Sequence, residues 1–435
     1  MSAYTNSREL ILEILLQITR DGEYSHIALK NALDQYQYLD KKERAFITRV
    51  VNGTLERMIE LDYILDQFSK VKVSKMKPVI RTILQSGVYQ LKYMDSVPNS
   101  AVCNESVKLA VKKGFTDLRG FVNGVLRNIS RNLENIRYPS EEDTVYYLSV
   151  RYSLPEWILK RWLAQYDEAS VRRMAEEFLK EKPVTVRFNP ERISKKELIQ
   201  MLEAEDVCVK EDETLPYALH LSGYDHLSGL ISFRQGYYQV QDISSMQVAE
   251  WAEVQKDDYV VDVCAAPGGK ALHIAERLSG SGHVEARDLT EYKVGLIREN
   301  IIRSGLTNIE ALRWDALQPD ERMIGKADIV IADLPCSGLG VLGKKPDLRY
   351  KMTREAQKEL AALQRNILAV VSGYVKPGGK LLYSTCTVNR EENEENAGWI
   401  QEHCEGFRLI REKQTLPGRD AGDGFYLAMF RKEGS

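Results

Sequence analysis

The sequence predicts a three-part chain. Residues 1–137 form an all-helical domain, 138–235 a small α+β module, and 236–435 a doubly wound α/β domain. Three observations carry this reading. Apolar residues recur at helical spacing up to about residue 132. Short alternating strands mix with helices in the middle. From about 236 onward, apolar strand-like runs alternate with helical stretches. That last pattern belongs to a mainly parallel sheet that takes its ligand at the strand carboxyl ends.

The first domain starts with Leu10, Ile11, Ile14, Leu15 and Ile18 on one helical face, and Ala45, Ile47, Val50, Val51 and Leu55 repeat the pattern. Further helices are expected over Pro78–Met94, ending before Ser96-Val97-Pro98-Asn99, over Ala101–Lys113 with Gly114 as the stop, and over Leu118–Ile129. In the middle part Glu156–Lys180 reads as one or two helices and Pro183–Asn189 alternates as a strand. Ser194 begins a helix to Glu205 with a Ser-Lys-Lys-Glu capping box. Val207–Lys210 and Ala218–Leu221 read as short strands. In the last domain strands are expected at Tyr259–Val263, His283–Ala286, Ile309–Arg313, Ala327–Ala332, Gly378–Tyr383 and Tyr426–Phe430.

Composition is ordinary for a globular protein, with 43% hydrophobic and 28% charged residues. No apolar run approaches the length of a membrane span, and the first residues lack a basic-then-apolar signal pattern. Six cysteines, at 103, 208, 264, 336, 386 and 404, contain no C-x-x-C pair, so neither a zinc site nor a disulfide framework is expected. Thiol chemistry fits a reducing compartment, and the expected location is cytoplasmic. Net charge is −3, yet residues 1–137 carry 21 basic and 15 acidic side chains. Between Lys70 and Arg131 the imbalance sharpens to twelve basic against three acidic, Asp95, Glu105 and Asp117. Such asymmetry suggests a phosphate-facing surface, against the plainer reading of a solvated helical face.

Chemistry concentrates in three motifs. Cys336 lies in Asp333-Leu334-Pro335-Cys336-Ser337-Gly338, and Cys386 in Ser384-Thr385-Cys386-Thr387, followed by Glu391-Glu392-Asn393. Each follows an apolar run that reads as a buried strand. Upstream stands Asp262-Val263-Cys264-Ala265-Ala266-Pro267-Gly268-Gly269-Lys270. This turn lacks the first glycine of a nucleoside triphosphate loop, and Ala271 replaces its Ser/Thr. It also lacks dinucleotide-type G-x-G-x-x-G spacing. Its glycines let backbone approach a ligand at a helix N-terminus, which suits the carboxylate and ribose of a nucleoside ligand. Asp288, Asp315 and Asp333 then recur at strand ends. A carboxylate about 18–25 residues after such a turn accepts ribose hydroxyls, which points to Asp288. Asp315 would lie near the adenine amino group. Any one of these aspartates alone reads equally as a helix cap or turn.

With these motifs in view, the chain resembles the Sun/Fmu family, small-subunit rRNA cytosine-5 methyltransferases of the RsmB type. Cys-Ala-Ala-Pro-Gly-Gly-Lys at 264–270, Asp-Leu-Pro-Cys-Ser-Gly at 333–338 and Ser-Thr-Cys-Thr at 384–387 carry the likeness. It implies a NusB-like RNA-binding helical domain, a ferredoxin-like module, and a class I S-adenosylmethionine methyltransferase domain. It implies cofactor binding by Cys264, Ala265, Ala266, Pro267, Gly268, Gly269, Lys270, Asp288, Asp315 and Asp333. It implies Cys386 as nucleophile and Cys336 as helper thiol. The implied partner is 16S rRNA, naked or in an early assembling small subunit, met by a monomer away from membranes. Ala271 stands where the family often has Thr. Lys344–Arg349 keeps the family's basic substrate-side loop in altered form.

The chemistry accounts for these residue types. Carbon 5 of cytosine is a poor nucleophile, and a thiolate added at carbon 6 turns the ring into an enamine that is reactive at carbon 5. Cys386 is the candidate for that attack. A free thiol, with a pKa of about 8.5, is only a few per cent thiolate at neutral pH, so its site or its substrate must help. Asp333 can bond the exocyclic amine and ring nitrogen, Lys270 can orient Asp333 or the base, and Cys336 can assist release. A lone strand-end cysteine is more often an inert small hydrophobe; two beside a nucleotide-type turn reverse those odds. A DNA cytosine methyltransferase that attacks through the Pro-Cys thiol, and an inactive RNA scaffold, are the rival readings.

Overall fold

The computed structural model describes residues 6–36 and 39–434. The chain folds as two compact units, Met1–Lys180 with Leu342–Lys351, and Glu181–Val341 with Met352–Ser435. Among the described residues no helix is long and apolar enough to cross a membrane.

The first unit is helical. Its bundle comprises Ser7–Thr19, Ser25–Gln35, Lys41–Glu56, Met58–Phe68, Pro78–Tyr93, Asn99–Lys112 and Arg119–Arg131, and three shorter helices follow at Thr144–Tyr152, Glu156–Leu163 and Glu168–Glu177. Local chemistry starts the helices: the Asn6 and Asp40 side chains accept the Arg8 and Glu43 N–H groups, and Pro78 occupies the first turn of its helix. Leu15, Ile47, Val50, Val51, Leu61, Ile64, Leu84 and Val88 are fully buried at the centre. A Cβ on Gly53 would stand 2.0 Å from the Tyr89 ring, so only glycine lets Lys41–Glu56 approach Pro78–Tyr93 this closely.

The detached segment Leu342–Lys351 is built into this unit. Arg349 is fully buried; its guanidinium donates to the carbonyls of Glu56 at 2.9 Å, Ser153 at 3.3 Å and Leu342 at 3.1 Å. The Ser25 N–H donates to Asp347 at 3.2 Å, and the Tyr350 hydroxyl to the Leu55 carbonyl at 2.8 Å. Folding takes Arg349 and Asp347 out of the basic substrate-side loop expected over Lys344–Arg349. Lys344 and Lys345 are exposed, but Arg349 and Asp347 are spent inside the helical unit.

The basic stretch is also altered by folding. Lys72, Arg81, Lys92, Lys108, Lys112 and Lys113 pair with Asp66, Asp62, Glu60, Glu105, Glu9 and Glu13. Lys70, Lys75, Lys77, Arg119, Arg127 and Arg131 remain exposed. Arg119 and Arg127 line a shallow cleft of about 820 Å³ together with Asn104, Lys108 and Asn123.

The second unit opens with a four-stranded antiparallel sheet. Its strands are β1 (Val184–Phe188), β2 (Cys208–Glu211), β3 (Ala218–Ser222) and β4 (Tyr238–Val240), in the order β2-β3-β1-β4. The helix Lys195–Ala204 between β1 and β2 carries the Ser194–Glu197 capping box. The larger sheet comprises β5 (Tyr259–Asp262), β6 (His283–Asp288), β7 (Ile309–Arg313), β8 (Ala327–Asp333), β9 (Val375–Thr385), β10 (Phe407–Thr415) and β11 (Phe425–Lys432), in the order β10-β11-β9-β8-β5-β6-β7. The five strands β5–β9 run parallel, and β11 and β10 pair antiparallel at one side. Val260, Val261 and Ile329–Ala332 are all buried, because helices cover both faces of the central strands. The chain builds outward from β5 to β7, then crosses back to β8. The gap between β5 and β8 is therefore the switch point where such sheets bind ligands.

Candidate active site

Register brings the two thiols together. Strands β8 and β9 are parallel neighbours, with Asp333 opposite Ser384. Cys336 follows the first by three residues and Cys386 the second by two, so both emerge at the same sheet edge. Their sulfurs lie 3.3 Å apart, within hydrogen-bond reach. Backbone bonds hold the two loops in step: Leu334 N–H donates to the Ser384 carbonyl at 3.1 Å, and Gly340 N–H to the Cys386 carbonyl at 3.1 Å. Both cysteines are of intermediate exposure. Its hydrogen bond with Cys386, then burial, then the Cys386, Glu392 and Asp333 charges, drive the Cys336 pKa well up.

Lys270, on the first turn of helix Gly269–Arg277, reaches across from the β5 end to Asp333 at 2.6 Å. The other Asp333 oxygen accepts the Ser384 hydroxyl at 2.7 Å. Burial alone would depress the Lys270 ammonium; the Asp333 charge and hydrogen bond, with Asp262 and Cys386 behind them, raise it instead. The ammonium also stands 5.3 Å over the Phe425 ring.

The glycine turn sits at the β5 end. Gly268 has φ +109°, a conformation that favours glycine, and caps the helix that begins at Gly269. Ala265 N–H donates to the Arg287 carbonyl at 2.8 Å, and Ala266 N–H to Asp288 at 3.1 Å. Asp288 ends β6, is buried, and also accepts the Leu289 N–H at 2.8 Å. Cys264 is held well above the usual thiol range by burial first, then by Asp262, Asp288 and Asp333. Asp315 follows β7, and its carboxylate accepts the Leu317 N–H at 3.0 Å.

Two further residues of this site lie within the sequence motifs, where nothing in the sequence marks their role. Asp262 is 1% exposed, and neither of its oxygens has a hydrogen-bond partner. The Cys264 N–H leans on it electrostatically without closing a bond of good geometry. Glu392 is fully buried between the two cysteine loops.

Comparison with known proteins decides the family. The model for 16S rRNA methyltransferase RsmB/F matches residues 249–431, the NusB family model residues 5–131, and the RsmF/B-like ferredoxin-like domain model residues 154–225. A probable ribosomal RNA small subunit methyltransferase B of Bacillus subtilis is 35% identical, with 99% of each chain covered. One from Synechocystis is 33% identical over 98% of this chain and 99% of its own. The chain belongs to the ribosomal RNA small subunit methyltransferase B family. The solved structure of PH0851 shares the fold, with a TM-score of 0.84, 23% identity, and coverage of 99% of this chain and 100% of that one. NSun6 from Pyrococcus horikoshii, solved with SFG, has a TM-score of 0.59 and 22% identity over 65% of this chain and 99% of its own. The expected NusB-like domain, ferredoxin-like module and methyltransferase domain are thus all present.

As a family member the chain is a small-subunit rRNA methyltransferase, and its cofactor is S-adenosylmethionine. The residues present fit that group. Asp262 is a buried carboxylate neither of whose oxygens closes a hydrogen bond of good geometry, suited to a cationic ligand group met directly or through water. Backbone turns closely at Gly268, and Asp288 keeps acceptor capacity at the end of β6. Burial first, with Asp333 and Asp288 adding and Lys270 opposing, pushes Asp262 up to about 7. The folded state therefore holds a proton that the unfolded chain releases near pH 4. This contribution to stability is full below about pH 4 and lost as pH rises through about 7. Asp262→Asn should accordingly raise Tm at pH 8 and leave it nearly unchanged at pH 4. An equal Tm difference at both values would show that Asp262 is not charged at a cost in the fold.

Proposed function

We propose that this chain transfers a methyl group to carbon 5 of a cytosine in 16S rRNA, by way of a covalent cysteine adduct. The observation that carries the reading is the pair of sulfurs 3.3 Å apart beside the Lys270–Asp333 pair. S-adenosylmethionine supplies an electrophilic methyl group on a sulfonium.

The chain's own residues do the rest. A protonated Cys336 donates to the Cys386 sulfur and favours its thiolate form. Cys386 adds to carbon 6, forming the S–C6 bond as the ring double bond shifts electron density to carbon 5. Asp333, oriented by Lys270 and Ser384, bonds the exocyclic amine and the ring nitrogen that gains a proton. Carbon 5 takes the methyl as the sulfonium bond breaks. Once Cys386 is bonded to carbon, the hydrogen bond that kept Cys336 protonated is gone. Cys336 has by then passed its proton through water to that ring nitrogen; its thiolate takes the carbon 5 proton, the S–C6 bond breaks to return the Cys386 thiolate, and the ring nitrogen releases its proton to solvent. A base-paired cytosine cannot offer carbon 6, so the target is single-stranded or flipped, at about a few kcal/mol. Naked 16S rRNA or an early assembling subunit suits that requirement.

In the cofactor site, Gly268 and the 264–270 backbone receive the methionine end, Asp288 the ribose, and Asp315 the adenine. Asp288→Ala should weaken S-adenosylmethionine binding in calorimetry by about tenfold, the worth of a lost charge-assisted hydrogen bond. Unchanged affinity would remove Asp288 from the ribose role. Arg119 and Arg127 on the helical unit are assigned to RNA phosphates. Arg119→Gln with Arg127→Gln should reduce the salt slope of 16S rRNA binding by about 1–2. An unaltered slope would leave the cleft a solvated surface.

The deciding experiment supplies tritiated methyl donor with a 16S rRNA transcript or a DNA duplex, and maps the RNA product by bisulfite. Label in RNA at a bisulfite-resistant cytosine is expected. Label on ribose, on an exocyclic amine, or in DNA would overturn the reading.

A further inference from the structure

The Glu391-Glu392-Asn393 motif follows Cys386 closely, yet nothing in the reaction above uses it. In the fold, Glu392 is fully buried and four donors converge on its carboxylate. Ser337 N–H donates to one oxygen at 2.8 Å, and Gln364 Nε2 to the same oxygen at 3.2 Å. Asn389 Nδ2 donates to the other at 2.7 Å, where the Ser337 hydroxyl also binds. Gln364 Nε2 also donates to the Pro335 carbonyl at 2.8 Å. Thr387 closes the ring: its hydroxyl lies 2.7 Å from the Ser337 hydroxyl and accepts the Leu339 N–H at 3.2 Å. Residues flanking Cys336 on both sides are thus tied to residues that follow Cys386.

The two thiols depend on this network unequally. Cys386 leaves the end of β9, a strand paired on one side with β8 and on the other with β11. Cys336 stands three residues beyond β8 in a loop whose next residue, Ser337, is held by Glu392 through both backbone and side chain. Loosening Glu392 therefore moves Cys336 more than Cys386.

We propose that Glu392 is a positioning residue that holds Cys336 against Cys386, so that product release, more than attack, depends on it. This inference rests on the covalent reading above and deepens it. Glu392 touches no reacting atom and acts through Ser337 and Pro335.

The test uses the full chain, S-adenosylmethionine and the 16S rRNA transcript, with single-turnover methyl transfer and the lifetime of a denaturation-resistant protein–RNA adduct as readouts. Glu392→Gln keeps the size but turns one acceptor into a donor facing donors. It should lengthen adduct lifetime about tenfold or more, with methyl transfer within about threefold of wild type. Adding Asn389→Asp reverses one hydrogen bond and restores the charge, and should recover most of the lifetime. Ser337→Ala, which removes a single hydroxyl, should act in the same direction but more weakly, and serves if Glu392→Gln does not fold. A lifetime unchanged in both single variants would overturn the inference. So would equal losses of transfer and release that track a lower Tm and are not rescued. Cys336→Ala separates the two levels of the argument. If it traps an adduct while the Glu392 and Ser337 variants behave as wild type, this inference alone falls. If neither it nor wild type ever forms an adduct, the covalent reading falls and takes this inference with it.

Discussion

Cys386→Ala should abolish methyl transfer and leave no adduct with RNA, whereas Cys336→Ala should transfer one methyl and then stall as a denaturation-resistant complex. The asymmetry follows from the site. Both sulfurs occupy the same few ångströms, but the Cys336 thiol is held protonated by its bond to Cys386 and by burial, so it is the poorer nucleophile. Removing Cys386 deletes the covalent route, a loss of several powers of ten in turnover of the kind seen when a nucleophile is deleted, on the order of 10⁴ or more. Removing Cys336 spares attack and costs release. Gel bands from denatured reactions read this directly. A complex that accumulates in Cys386→Ala instead would exchange the roles and restore the Pro-Cys mechanism of DNA methyltransferases. Full activity in both variants would end covalent catalysis by either thiol.

Lys270→Met should lower methyl transfer by about 10²–10³-fold and move the acid limb of the pH–rate profile upward. Lys270 is the cation that the Asp333 and Asp262 carboxylates share, and it has little access to water. Without it Asp262 loses the charge that opposes its protonation, and carboxylates at the β5 and β8 ends face one another uncompensated. Lys270→Arg should recover part of the rate, since the charge is kept while the planar fork no longer matches a single-point contact. If rate falls with no movement of the profile, Lys270 contributes packing and not electrostatics.

The chemistry-bearing parts of this chain were the most legible. The β5, β8 and β9 runs are continuous apolar stretches because both faces are covered, and their ends carry the motif residues directly. Strand β10 was not visible. Phe407–Thr415 is a half-exposed edge strand crowded with Arg, Glu, Lys and Gln, so its alternation is faint. Strand β4 has only three residues, too few for a period. Glu392 stood in a motif already singled out, but its donors Ser337 and Gln364 lie 55 and 28 residues away, and only the fold brings them together. Charge counting overstated the basic surface for the same reason. The partners of Lys92, Arg81 and Lys113 come from other helices, which a linear count cannot pair.

The burial of Leu342–Lys351 within the helical unit bears on how the chain is made. The helical unit is complete up to Lys180 long before its last piece exists. Synthesis at roughly 5–20 residues per second would delay that piece by about 10–30 s. During the wait the carbonyls of Glu56 and Ser153 and the backbone N–H of Ser25 lack their final partners. The amino-terminal bundle therefore leaves the ribosome unfinished, and its last hydrogen bonds form only after most of the catalytic sheet has been synthesised.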